Sequence, residues 1–125
     1  MDEIEVVGGE YEFKINGFRY NLKGHPNIEY GGKHYEPIIG PEGALLAYKC
    51  VANSPSKISV TLTDTSSLDI VELQQTKKAT ITLKKPNGKT FVMKNACCSA
   101  QVTESCEEGE VAVEFSAGPA GDQKS

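Results

Sequence analysis

A strict two-residue alternation of apolar and polar side chains, punctuated by Asn-Gly, constrains this chain more than any other feature. Tyr11, Phe13 and Ile15 alternate with Glu12, Lys14 and Asn16, and Phe18, Tyr20 and Leu22 repeat the pattern against Arg19, Asn21 and Lys23. Successive side chains of a strand point to opposite faces, so this period predicts half-buried strands. Asn16-Gly17 lies between the two runs. Both residues tolerate the positive φ of a type I′ turn, which predicts a tight hairpin. The second half repeats the signal. Ala79, Ile81 and Leu83 alternate with Thr80, Thr82 and Lys84, Pro86-Asn87-Gly88-Lys89 predicts a second hairpin turn, and Phe91 and Met93 lie on the return strand. Residues Asn95 to Thr103 extend that strand or begin another. Glu107-Glu108-Gly109 turns the chain into Val111, Val113 and Phe115, which alternate with Glu110, Ala112 and Glu114.

Between these halves, Leu45–Ala52 reads as a strand, and Ile58, Val60 and Leu62 define another. The period then changes, and residues 66–75 predict one short helix with Ser66 as its cap. Seven or eight short strands and one helix make a mainly β chain. The expected fold is an antiparallel β-sandwich or barrel with a short α-helix on its flank near 66–75. The 125 residues fit one domain, expected over 1–116, with an N-terminal arm at 1–10. Residues 117–125 carry Gly118, Pro119 and Gly121 and no large apolar group, which reads as a mobile tail.

Residues 24–44 break the pattern. Gly24, Gly31, Gly32, Gly40, Gly43, Pro26, Pro37 and Pro41 interrupt any regular element, which predicts a long loop. The same segment holds Ile28, Tyr30, Tyr35, Ile38 and Ile39, too many large apolar groups for a solvated linker. It is expected to pack on something, another subunit being the natural candidate.

The formal charge of -4 and pI near 5.2 argue against binding nucleic acid by phosphate neutralisation. No apolar run has the length of a membrane-spanning helix, and the acidic start, Met1-Asp2-Glu3-Ile4-Glu5, is unlike a secretory leader. The expectation is synthesis and retention in a cytoplasm, with no membrane partner.

No catalytic constellation is evident. Cys50, Cys97, Cys98 and Cys106 lack the paired spacing of a zinc site. Adjacent on a strand, Cys98 falls in the apolar set with Ala96, and Cys97 on the wetter face. Small buried or idle thiols are the plain reading, and a disulfide drawing on Cys50, Cys97 and Cys106, within or between subunits, is the alternative. His25 and His34 sit in the glycine-rich segment without a nucleophile or carboxylate partner. The acidic run Glu104, Glu107, Glu108, Glu110 lacks calcium-loop spacing. Neither an enzyme nor a cofactor is expected. A monomeric ligand- or calcium-binding β-domain is the alternative to a self-assembling one.

Read in order, these motifs resemble the tail tube proteins of Mu-like and related contractile-tailed phages. The resemblance runs through residues 11–24, Gly40-Pro41-Glu42-Gly43 with Tyr48, Ile58–Asp64, Ala79–Leu83, Asn87–Ala96 and Glu108–Phe115. It implies a virion tail protein, assembled in the host cytoplasm, whose six copies close into a ring around a lumen. Rings would stack through the long loop and the N-terminal arm into a tube. A tail sheath protein would surround the tube, and double-stranded DNA would pass through it without specific binding. Tyr30, Tyr35, Ile38 and Ile39 would then be buried between subunits. Glu12, Thr80, Thr82, Glu110 and Glu114 are the candidates for the lumen face. The tube of a phage-derived bacteriocin or secretion particle would share this fold.

Overall fold

The Asn16-Gly17 turn holds both residues at positive φ, 51° and 86°, and folds β1 (Glu12–Ile15) onto β2 (Phe18–Tyr20), as the sequence predicts. In this computed structural model, residues 11–118 and 120–123 are described. The expected N-terminal arm, 1–10, lies outside them, as do Pro119 and residues 124–125. The described residues form eleven strands in order with one helix. After β1 and β2 come β3 (Asn27–Glu29), β4 (Gly32–Ile39), β5 (Leu45–Ser54), β6 (Ser56–Thr63), α1 (Ile70–Gln74), β7 (Ala79–Lys84), β8 (Thr90–Cys98), β9 (Thr103–Ser105), β10 (Glu110–Ala117) and β11 (Gly121–Gln123).

All pairings are antiparallel. Two sheets share β8. The first runs β2-β1-β7-β8 with β11 on the far side of β8, and the second runs β8-β10-β6-β3 with β9 also on β10. Around Asn95, at φ 57°, the β7–β8 register is irregular; β7 still faces β8 at Ala96, and β10 joins β8 at Cys97 and Cys98. The sheets do not close into a barrel: past β2, residues 21–23 make only a short bridge to β6 around Leu62, and β3 remains as an end. The architecture is therefore a sandwich and not a barrel.

Alternation delivers the core. Phe13, Ile15, Ile81, Leu83, Phe91 and Met93 from the first sheet meet Ile58, Val60, Leu62, Val111, Val113 and Phe115 from the second, all buried. The rings of Phe13 and Phe115 lie 6.3 Å apart across the interior. Each such side chain contributes about 1.5–3 kcal/mol on burial. Helix α1 closes one end through Leu73. It is shorter than the 66–75 expected, and Asp69, not Ser66, caps it, accepting from the Glu72 amide at 3.1 Å.

The turn at 86–89 also differs in type from the first. Asn87 keeps negative φ while Gly88 takes φ 90°, and the Gly88 amide bonds to the Lys85 carbonyl. Pro86 presets the first central position of a type I turn, and glycine supplies the following left-handed bulge.

Candidate assembly surfaces

Residues 24–44 are not the loop that their glycines and prolines suggest. Most of the segment is strand: β3 joins the second sheet, and β4 pairs with β5 in a separate two-stranded sheet. Gly32 and Gly43, at φ 96° and 83°, begin β4 and form the turn rather than breaking a strand. Pro37 is tolerated opposite Tyr48 because both strands of a two-stranded ribbon are edges. We call this ribbon the arm.

The root of the arm is tied to the body at Gly31. Its amide bonds to Oγ of Ser56, which is fully buried, at 3.2 Å. A Cβ on residue 31 would fall on the backbone of Ser54, Pro55 and Ser56. Glycine is required here by close approach. Next to it, Tyr30 stands edge-on against buried Phe91, 5.3 Å between centroids. Its hydroxyl donates to Asp122 Oδ2 at 2.8 Å and accepts from Lys85 Nζ at 2.7 Å, while Lys85 Nζ lies 2.7 Å from Asp122 Oδ1. Burial alone would raise the Asp122 carboxyl, but the hydrogen bonds from Lys85 and Tyr30 outweigh it and hold Asp122 below its ordinary value. This cluster secures β11 on β8, so residues 121–123 are not the mobile tail expected of 117–125.

Beyond its root the arm has no cover from the other described residues. Tyr35 and Tyr48 meet edge-on at 6.5 Å yet stay 59% and 67% exposed. Ile38, Ile39, Leu45 and Leu46 are exposed beside them. An isolated two-stranded ribbon is marginal in water, and large apolar groups exposed on both of its faces mark a binding surface. Of the four residues singled out from sequence, Tyr35, Ile38 and Ile39 lie on the arm. Tyr30 instead locks its root. Leu45, Leu46 and Tyr48 were missed because they read as an ordinary buried strand.

The candidate lumen residues separate onto two faces. Glu12, Thr80 and Thr82 lie on the outer face of the first sheet, and Glu110 and Glu114 on the outer face of the second. One lumen cannot take both sets. The three carboxylates are all paired: Glu12 with Lys14 at 3.3 Å, Glu110 with Lys23 at 3.5 Å and Glu114 with Lys57 at 3.5 Å. The hydrogen bond and charge of Lys14, with Arg19 and Lys84 nearby, hold Glu12 below the usual carboxylate range.

All four cysteines are free thiols: Cys50, Cys97 and Cys106 exposed, Cys98 half-buried with Sγ 3.2 Å from the Ala100 carbonyl. Cys106 donates to Glu104 at 3.3 Å, and that hydrogen bond, followed by the carboxylate's charge, raises its pKa. Among the described residues no group of three His, Cys, Asp or Glu is arranged to hold a metal. His25 stands edge-on to Tyr11 at 6.1 Å and lines a shallow groove with Ser59, Thr61 and Glu114.

A profile of the family described as phage tail tube protein matches residues 5–121. No curated protein sequence matches the chain. Among solved structures, it is similar to the sheath/tube terminator of an extracellular contractile injection system (PVC), with a TM-score of 0.65 and 12% identity over 97% of this chain and 98% of that one. It is also similar to the tube-terminating cap of the anti-feeding prophage, with a TM-score of 0.63 and 11% identity over 99% and 97%. At these identities the likeness is one of fold.

Proposed function

The chain belongs to the phage tail tube protein family, and from that premise we propose that its copies close into hexameric rings that stack into the inner tube of a contractile tail. Double-stranded DNA passes along the lumen, and a sheath protein surrounds the tube. The observation that carries this reading is the arm. Tyr35, Ile38, Ile39, Leu45, Leu46 and Tyr48 form an apolar ribbon that a neighbouring copy must cover. Docked on that copy, the ribbon gains a third layer, and ring closure supplies a partner for the open end at β3.

The second sheet supports the lumen better than the first. Its outer face carries Ser59, Thr61, Glu110 and Glu114, with both carboxylates neutralised by Lys23 and Lys57. A near-neutral wall without free cations gives DNA phosphates nothing to grip. Glu12, Thr80 and Thr82 then face away from the lumen. No catalytic role is proposed.

A second reading follows from the two structural neighbours, a terminator and a cap: a ring that ends a tube instead of extending it. Sedimentation of the purified protein over a concentration series separates the readings. Tube subunits grow past a ring of six 13.5 kDa chains, a terminator stops at the ring, and a binding module stays monomeric.

A further inference from the structure

The outer face of the first sheet differs in charge from that of the second. Lys14 on β1 lies directly opposite Arg19 on β2, Lys84 on β7 lies directly opposite Glu12, and Lys94 projects from β8 on the same face. Among the described residues, four cations thus share the face with one carboxylate. Glu12 is salt-bridged to Lys14, while Arg19, Lys84 and Lys94 form no ion pair among the described residues. On the second sheet the cations are engaged, Lys57 with Glu29 and Glu114, and Lys23 with Glu110. Like charges directly opposite across a strand pair destabilise it, so the Lys14–Arg19 register is a cost carried by the free subunit. An anion set between the two would relieve it.

We propose that this face is a docking surface for an acidic protein, whose Asp and Glu side chains meet Arg19, Lys84 and Lys94. Between the cations lie Thr80, Thr82, Thr90 and Val92, short side chains that leave the surface flat enough for another sheet or helix. The small number of free cations favours protein over DNA. Three free cations on a flat sheet neutralise few phosphates, and duplex binding draws its affinity from neutralising many. The inference rests on the tube reading in one respect, that the second sheet lines the lumen and leaves the first facing outward to a surrounding protein.

The test uses fluorescence anisotropy with a labelled oligoglutamate peptide and, separately, a labelled DNA duplex. It is run on the subunit and on whatever assembly it forms. The unmodified protein binds the peptide, more weakly as salt rises. Replacing Arg19, Lys84 and Lys94 together by Gln weakens this by roughly tenfold, as three exposed charge pairs would, whereas Lys33→Gln with Lys49→Gln on the arm does not. Equal binding by the triple variant, or tighter binding of DNA than of peptide, overturns the proposal. Peptide binding lost on tube formation overturns the outward orientation. Failure to form tubes at all counts against the tube and leaves the subunit measurement to decide this surface.

Discussion

Lys85 Nζ lies 2.7 Å from Asp122 Oδ1, and Tyr30 donates to the other oxygen of the same carboxylate. Three distant parts of the chain meet there: the β7–β8 hairpin, the root of the arm and the last described strand. Replacing Asp122 by Asn removes the charge and keeps the shape. The expected loss is about 0.5–1.5 kcal/mol of stability by denaturant unfolding, with faster amide exchange at 121–123 and little change at β10.

The same cluster sets a pH window. The Asp122 carboxyl is depressed in the folded state relative to its ordinary 3.8, so its contribution is present above that value and is lost as pH falls through the folded value. For Lys85, burial works against the charge, but the bonds to Asp122 and Tyr30 prevail and raise the amine above its ordinary 10.5. Its contribution is present below that value and is lost as pH rises through the folded value. Thermal unfolding from pH 2 to 12 should show β11 loosening at both extremes. The Asp122→Asn variant should lack the acid-side change from this site.

Gly31→Ala tests the root of the arm. The new methyl meets the backbone of Ser54, Pro55 and Ser56, which cannot swing aside as a side chain would. The expected cost is about 1–3 kcal/mol. Chemical-shift or exchange changes should centre on residues 30–32 and 54–56. Gly118→Ala, with open space around its Cβ, should be near neutral.

Gly88→Val should cost about 1–3 kcal/mol, because a β-branched residue is forced to φ near 90°. Denaturant unfolding reads the loss. Stability equal to that of the unmodified chain would mean that the bulge is misplaced.

Tyr35→Ser with Tyr48→Ser separates folding from assembly. Both rings are exposed on the arm, so the subunit's stability should change by no more than about 0.5 kcal/mol. Assembly, followed by light scattering, should be lost or need much higher protein concentration.

Strands with one wet and one dry face were plain in the sequence, because the period records burial directly: Phe13, Ile81, Leu83, Val111 and Phe115 all fall where alternation puts them. Features fixed by backbone geometry or by polar anchors were not. Gly32 and Pro37 read as breakers, yet in a two-stranded ribbon one starts a strand and the other sits on an edge. The tail has no large apolar residue, so hydropathy gave no sign that Asp122 would pin it to Lys85. The arm's Leu45, Leu46 and Tyr48 carry the residue types of a core strand, and only the fold shows them exposed among the described residues. The opposite outer faces of the two sheets likewise appear only once register assigns Glu12 to one and Glu114 to the other.

Electron microscopy of the concentrated, purified protein tests the account at its centre, that the arm is covered by another copy of the chain. Rings with six-fold symmetry, stacked into tubes in which the β4–β5 ribbon lies on an adjacent subunit, are the expected result. Dispersed monomers across salt and pH, with the ribbon's tyrosines shielded against their own body, would contradict it.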